Sequence, residues 1–349
     1  MPSGEQQIRE TKRRYPIGAE WIGENQTHVR VWAPKARELD VVVEYGQNSQ
    51  RTFHPLSPEQ GGYYAGALDV GVDTRYWFRV NSGEKFYPDP ASRFQPEGPH
   101  GPSCIIDPRQ FQWTDSQWPG PAATGLKGQI IYEMHIGTFT KEGTWCAATE
   151  QLAELARIGI TVVETMPIAD FPGKFGWGYD GVNLFAPSHL YGTPDDLRAF
   201  IDRAHALGVA VILDVVYNHF GPDGNYLGIF SDDYLIREKE NEWGNAINFD
   251  GPNSGPVRKF FITMGVTGLK NFISMGSAST RHTPFASDPA NISSALSDGR
   301  RGRKPTRARS SSWPRTISRK RRWRGRAAKA AMIWMGCGTT IFIIAPWWR

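Results

Sequence analysis

The period of the hydrophobic pattern changes partway along the chain. Over residues 18–87 it is short. In Thr27–Trp32, Val29 and Val31 alternate with His28 and Arg30, and Glu38–Tyr45 carries three consecutive valines. Thr74–Val80 is rich in aromatic and β-branched residues and runs into an Asn81-Ser82-Gly83 turn. Short strands at this spacing predict a small β-sandwich. Pro88, Pro90, Pro96, Pro99, Pro102, Pro108, Pro119 and Pro121 then predict a rigid, irregular connector. From Gln129 the pattern becomes strand, helix, strand. Ile130–His135 reads as a continuous apolar strand, and Thr144 caps a helix through Arg157 with Ala148, Leu152, Leu155 and Ala156 on one face. Ile160–Met166 is a second strand, Pro194–Leu207 a helix stopped at Gly208, and Val209–Val216 a third strand. Apolar strands separated by amphipathic helices predict a parallel sheet covered by helices, which fits either an eight-stranded barrel or a doubly wound sheet.

Charge divides the chain at a different place. Of its 40 Lys and Arg residues, 17 follow Ile262, whereas only Asp288 and Asp298 of its 35 acidic residues do. The net charge of +5 therefore describes a basic terminal block on an acidic body. That block has no helix or strand period. Cys104, Cys146 and Cys337 are widely spaced, in neither a zinc nor a redox pattern, so reduced thiols in a cytoplasmic protein are expected. The first residues contain no apolar run, which argues against a secretory signal. Ala331–Trp348 is apolar but short and broken by Gly336, Gly338 and Pro346, so no membrane association is expected.

Candidate chemistry lies where the three parallel strands end. Glu133-Met134-His135 follows the first, the loop FPGKFGWGYDG (Phe171–Gly181) follows the second, and Asp214-Val215-Val216-Tyr217-Asn218-His219 closes the third. Trp177 and Tyr179 offer flat apolar faces with polar edges to a sugar ring, and Asp214, Asn218 and His219 offer partners for hydroxyl groups. Glu133 and His135 fit either a ligand contact or a hydrogen bond at the barrel mouth. In the sandwich, Trp32, Tyr63, Tyr64, Trp77 and Phe78 fit either a glucan-binding platform or core packing.

The DVVYNH segment, the YDG before it and the runs IIYEMHIGTFT, GWGYDGVNLFAPSHLYGTPDD and EWGNAINFDGPNSGPVRKFFI resemble the α-amylase clan of glycoside hydrolases, and within it the maltooligosyltrehalose trehalohydrolases. The resemblance covers about residues 15–262. It implies an N-terminal β-sandwich at 1–105 of carbohydrate-binding-module type, a connector at 106–127, the first three βα units of a (β/α)₈ TIM barrel at 128–262, and an aberrant basic tail at 263–349. It also implies a substrate, maltooligosyltrehalose or another α-glucan, held by Trp177, Tyr179, Asp180, Asp214, Asn218 and His219. No cofactor, metal, membrane or specific nucleic-acid partner is implied. A branching or debranching enzyme of the same clan is the second reading.

The reactive acids are what the sequence lacks. Retaining hydrolysis needs two carboxyl groups about 5 Å apart. In the clan these come from motifs close to D-G-L-R-L-D-A and A-E-N, neither of which occurs here, so no catalytic residue is assigned. The tail is compatible with the same gene read in another frame. Taken from each third base, Met275-Gly276 forces a glycine codon, and Ile273–Thr280 permits F-D-G-L-R-L-D. Trp313-Pro314 forces alanine and the next positions permit E-N. Met332-Ile333 and Trp334-Met335 each force aspartate, and Met335-Gly336 forces glycine. On this reading the third strand is left with an unpaired apolar edge and a barrel that cannot close.

Overall fold

The computed structural model describes residues 13–45, 50–116, 118, 128–241, 244–272, 332–333 and 340–344. The alternating segment forms β1 (Gly18–Gly23), β2 (Gln26–Trp32), β3 (Leu39–Tyr45), β4 (Gln50–Pro55), β5 (Ser57–Glu59), β6 (Tyr63–Leu68), β7 (Arg75–Val80), β8 (Phe86–Tyr87) and β9 (Ser103–Cys104). One sheet has the order β1-β2-β6-β5 and the facing sheet β4-β3-β7-β8, with β9 on β7, all antiparallel. Val29, Val31, Leu39, Val41, Val43 and Phe78 fill the space between them. The middle valine of β3 points the other way. Val42 is in register with Phe53 on one side and Trp77 on the other, and it is fully buried on the outer face of its sheet. Two arginines complete that cover: Arg79 lies 4.1 Å from the Phe53 ring centre and Arg51 5.0 Å from that of Phe86.

Of the two readings left open for the sandwich aromatics, four of the five residues follow core packing. Trp32, Tyr63, Tyr64 and Phe78 are all buried, Phe78 in the sandwich core and Trp32 and Tyr63 in the cluster that joins the sandwich to the second domain. Alternation says which residues share a face, but not which face meets the core.

The second domain contains β10 (Ile131–Met134), α1 (Ile136–Phe139), α2 (Trp145–Arg157), β11 (Val162–Thr165), β12 (Ala169–Asp170), β13 (Asn183–Pro187), α3 (Pro194–Ala206), β14 (Ala210–Val216), α4 (Leu227–Phe230), β15 (Leu235–Asn241), β16 (Gly244–Ile247), α5 (Ser254–Phe272), β17 (Met332–Ile333) and β18 (Thr340–Ile344). The helix starts follow local chemistry. Thr144 accepts a hydrogen bond from the Ala147 N–H ahead of α2. At α3, Thr193 and Asp196 form a reciprocal capping box with Pro194 in the first turn. Strands β10, β11 and β14 pair in parallel, and α2 and α3 cover one face through Trp145, Leu152, Leu197 and Phe200.

Register then fixes the opposite face. Ile131, Val162 and Ala210 lie level with one another, and Glu133, Glu164 and Ile212 form the next row, with Asp214 two residues further along β14. The apolar row is closed from below by the connector, where Trp118 packs against Val162, Ala210 and Ile212. Trp118 also stacks on His205 at 3.6 Å between ring centres. Asp115 pairs with His205 Nδ1 at 2.7 Å, and Asp202 accepts from the Thr114 N–H and hydroxyl and the Asp115 N–H. The described part of the connector is thus clamped onto α3. The two domains also share packing: Phe230 of α4 enters the sandwich core, and Trp32 meets Tyr234 edge-on.

The edge of β14 differs from the sequence expectation. It is paired, antiparallel, by β18 from the basic block, with Asp214 opposite Phe342, and β17 pairs β18 in turn. Helix α5 likewise continues past Ile262 to Phe272. The other expectations for residues 273–349, most of the apolar Ala331–Trp348 run and Cys337 among them, lie outside the described residues. Among the described residues no helix is long and apolar enough to cross a membrane. An apolar strand with a free edge templates self-association. A chain lacking Thr340–Ile344 is therefore expected to elute from size exclusion as higher oligomers; an unchanged elution volume would contradict a role for β18 in covering β14.

Candidate functional site

Three acidic groups meet at the carboxyl ends of β10, β11 and β14. Glu133 and Glu164 are register partners and therefore neighbours on one face, and Asp214 stands above them on the same face. Glu133 is exposed, Glu164 is buried at 8 % exposure and Asp214 at 2 %. Burial, then the nearby charges of Glu133 and Asp214, pushes the Glu164 carboxyl up to about 7. Burial also raises Asp214, to about 6, with Glu133 adding to the shift and hydrogen bonds from Tyr179 and the Val215 N–H opposing it. Glu164 was missed in the sequence because it interrupts an otherwise apolar strand. Its signal is a lone carboxylate on the inward phase of VVET.

Above this layer lies the Phe171–Gly181 loop. The Tyr179 hydroxyl donates to Asp214 Oδ2 at 2.9 Å, while Asp214 Oδ1 is buried without a protein hydrogen bond. His219 Nε2 donates to the Tyr179 carbonyl at 3.0 Å, and its Nδ1 lies 3.0 Å from Asn218 Oδ1. Tyr179, Asp214, Asn218 and His219 thus form one connected cluster. Burial and the adjacent Asp214 raise the Tyr179 hydroxyl, so it stays protonated and available as a donor.

His135 belongs to the bracing of this loop. Its Nε2 donates to the Gly176 carbonyl at 2.8 Å and lies 3.0 Å from the Tyr191 hydroxyl. Two backbone positions admit only glycine: a Cβ on Gly178 (φ +88°) would lie 1.9 Å from the Pro167 carbonyl oxygen, and one on Gly221 2.1 Å from that of Asp180. The remaining sequence candidates stand apart from the cluster. Trp177 is 73 % exposed, and Asp180 is exposed as well. Behind Asp214, a mainly apolar cavity of about 60 Å³ opens between β13, β14 and α5, lined by Leu184, Leu213, Met264 and Thr267. Among the described residues no group of His, Cys, Asp and Glu is arranged to hold a metal ion.

Chemically, the cluster offers a flat phenol ring, a buried carboxylate oxygen with spare acceptor capacity, an amide and an imidazole, all at one strand end. That set matches alternating C–H faces and hydroxyl groups. Among the described residues of this cluster, Asp214 is closed off by Tyr179, Glu164 sits in the row beneath it, and Glu133 is the exposed acid of the three.

Residues 105–246 match the family described as Alpha amylase, catalytic domain, and residues 16–92 match Carbohydrate-binding module 48 (Isoamylase N-terminal domain). The chain is 42 % identical over 227 residues to a malto-oligosyltrehalose trehalohydrolase of Deinococcus radiodurans, covering 65 % of this chain and 36 % of that protein. It is 41 % identical over 242 residues to a malto-oligosyltrehalose trehalohydrolase of Saccharolobus solfataricus, covering 69 % and 41 %. It is also similar to the crystal structure of a candidate alpha amylase from Salmonella typhimurium, with 35 % identity and a TM-score of 0.70, over 81 % of this chain and 46 % of that one. The chain therefore spans less than half the length of these relatives.

The two raised carboxyls set a pH dependence. Because Glu164 and Asp214 lie above their ordinary values of 4.5 and 3.8, the folded state holds their protons more tightly than the unfolded state does. Their contribution is fully present below about pH 4 and is lost as pH rises through 6 to 7. Urea unfolding is expected to give lower stability at about pH 8 than at about pH 5, and Glu164→Gln is expected to flatten that difference. An identical pH slope in this variant would exclude Glu164 as its source.

Proposed function

This chain belongs to the α-amylase clan of glycoside hydrolases, and from that membership we propose that its sequence encodes the sugar-holding part of a hydrolase releasing trehalose from maltooligosyltrehalose. As it stands, the chain holds an α-glucan without cleaving it. The Tyr179 hydroxyl bonded to Asp214, with His219 gripping the Tyr179 carbonyl, carries this reading. A phenol ring fixed at both its hydroxyl and its backbone presents its face to a pyranose ring with little ordering cost on binding.

The reading of the reaction follows from what retention requires. One carboxylate attacks the anomeric carbon and a second carboxylic acid protonates the departing oxygen, with their carboxyl groups about 5 to 5.5 Å apart. Asp214 is too enclosed to attack, and Glu164 lies below the level at which a bound ring would rest. The strings that would bring the reacting pair, D-G-L-R-L-D-A and A-E-N, are permitted only in the third-base frame of residues 273–317. We place the loss of both acids in that change of frame. The basic character of the block follows too, since GC-rich codons read out of frame yield Arg, Ala, Ser and Trp. Incubation with a maltooligosyltrehalose is expected to release no trehalose above the buffer blank, while the chain rewritten in the third-base frame from about codon 263 onward releases it. Trehalose release by the unaltered chain at a rate near that of the rewritten one would overturn the proposal.

A second reading concerns the sandwich, and a specific observation favours it. Phe53 on β4 is 44 % exposed, and it shares the outer face of its sheet with Trp77 and meets Phe86 edge-on. These three, rather than the buried four, would form the platform for α-glucan. The 1–105 fragment is expected to be retarded on immobilised amylose and Trp77→Ala to run with the void; equal migration of both would remove this reading.

A further inference from the structure

The two most exposed large hydrophobic side chains among the described residues lie in one loop, two positions apart. Phe175 is 95 % exposed and Trp177 73 %, ahead of Ile158 at 57 %. The backbone beneath them is held at close quarters. A Cβ on Gly176 would lie 2.7 Å from the Phe171 ring, and Gly178 is wedged against Pro167. His135, just beyond β10, grips the Gly176 carbonyl, and His219, just beyond β14, grips that of Tyr179. Two strand ends thus clamp the backbone on either side of Trp177. Keeping ordered aromatic rings in water forgoes the free energy of their burial. The loop therefore presents them for something that covers them.

We infer that Phe175 and Trp177 form an aromatic subsite that extends the Tyr179 site outward and takes the apolar face of a more distant glucosyl unit of an α-1,4-glucan. This rests on the reading of Tyr179 as a sugar contact. Continuity supports the assignment, because Phe175, Trp177 and Tyr179 follow one another at every second residue of a single braced loop. The flanking chemistry fits as well: Lys174 and Asp180, exposed and within three residues of the ring pair in sequence, offer partners for the hydroxyl groups of a stacked ring. Phe175 is the residue that sets how many sugar units are gripped.

Titration calorimetry on the full chain with maltohexaose and with maltotriose tests this. Phe175→Ala is expected to weaken maltohexaose binding roughly tenfold and to leave maltotriose binding unchanged, with Phe175→Tyr restoring the wild-type ratio. Tyr179→Ala is expected to weaken both. If Phe175→Ala binds both sugars as the wild type does while Tyr179→Ala loses both, the outer subsite is wrong and the Tyr179 site stands. If the wild-type chain binds neither sugar, the underlying reading fails and the subsite with it. A change of sedimentation in Phe175→Ala without a change in sugar affinity would assign the ring pair to contact between copies of the chain and overturn the proposal.

Discussion

Everything at the strand ends depends on the hydrogen bond from Tyr179 to Asp214. It joins a loop that leaves β11 to the end of β14, and it closes the top of a layered interior: Trp118 at the base, then Ile131, Val162 and Ala210, then Glu133, Glu164 and Ile212. Burial in this interior, with the charge of Glu133 added, is what raises the Glu164 and Asp214 carboxyls beneath a tyrosine that remains a donor. Loss of that bond would leave the loop held to the two strand ends by His219 and His135 alone.

A fixed loop with exposed rings is the useful consequence. Binding sites built on rigid elements lose less conformational entropy when the ligand arrives. Here the rigidity comes from glycine positions no other residue fits and from two histidines used as backbone clamps. The sequence left His135 open between ligand contact and structural bond, and its contacts with the Gly176 carbonyl and the Tyr191 hydroxyl favour the structural role.

Most of the fold was legible wherever one period ran without interruption. The parallel strands, the helix begun at Thr144 and the helix begun at Pro194 fall where apolar spacing and end signals put them, within a residue or two. What escaped had no local signature. The paired strands β12 and β13 flank the Phe171–Gly181 loop without a period of their own, Glu164 hides in an apolar strand, and the choice of inner and outer aromatics in the sandwich was made by the facing sheet. The pairing of β18 with β14 was beyond reach for another reason: Thr340–Ile344 lies 124 residues beyond the end of β14 in a stretch without period, and its strand form depends on the edge it meets.

On the proposed reading, the sugar-holding half of the site is encoded in one frame and the reacting acids in another. Sequencing the gene from codon 258 through codon 320 tests it most directly. An open third-base frame reading D-G-L-R-L-D-A and then A-E-N across that stretch is expected; a stop codon within it, or codons that specify neither string, would overturn the proposed change of frame.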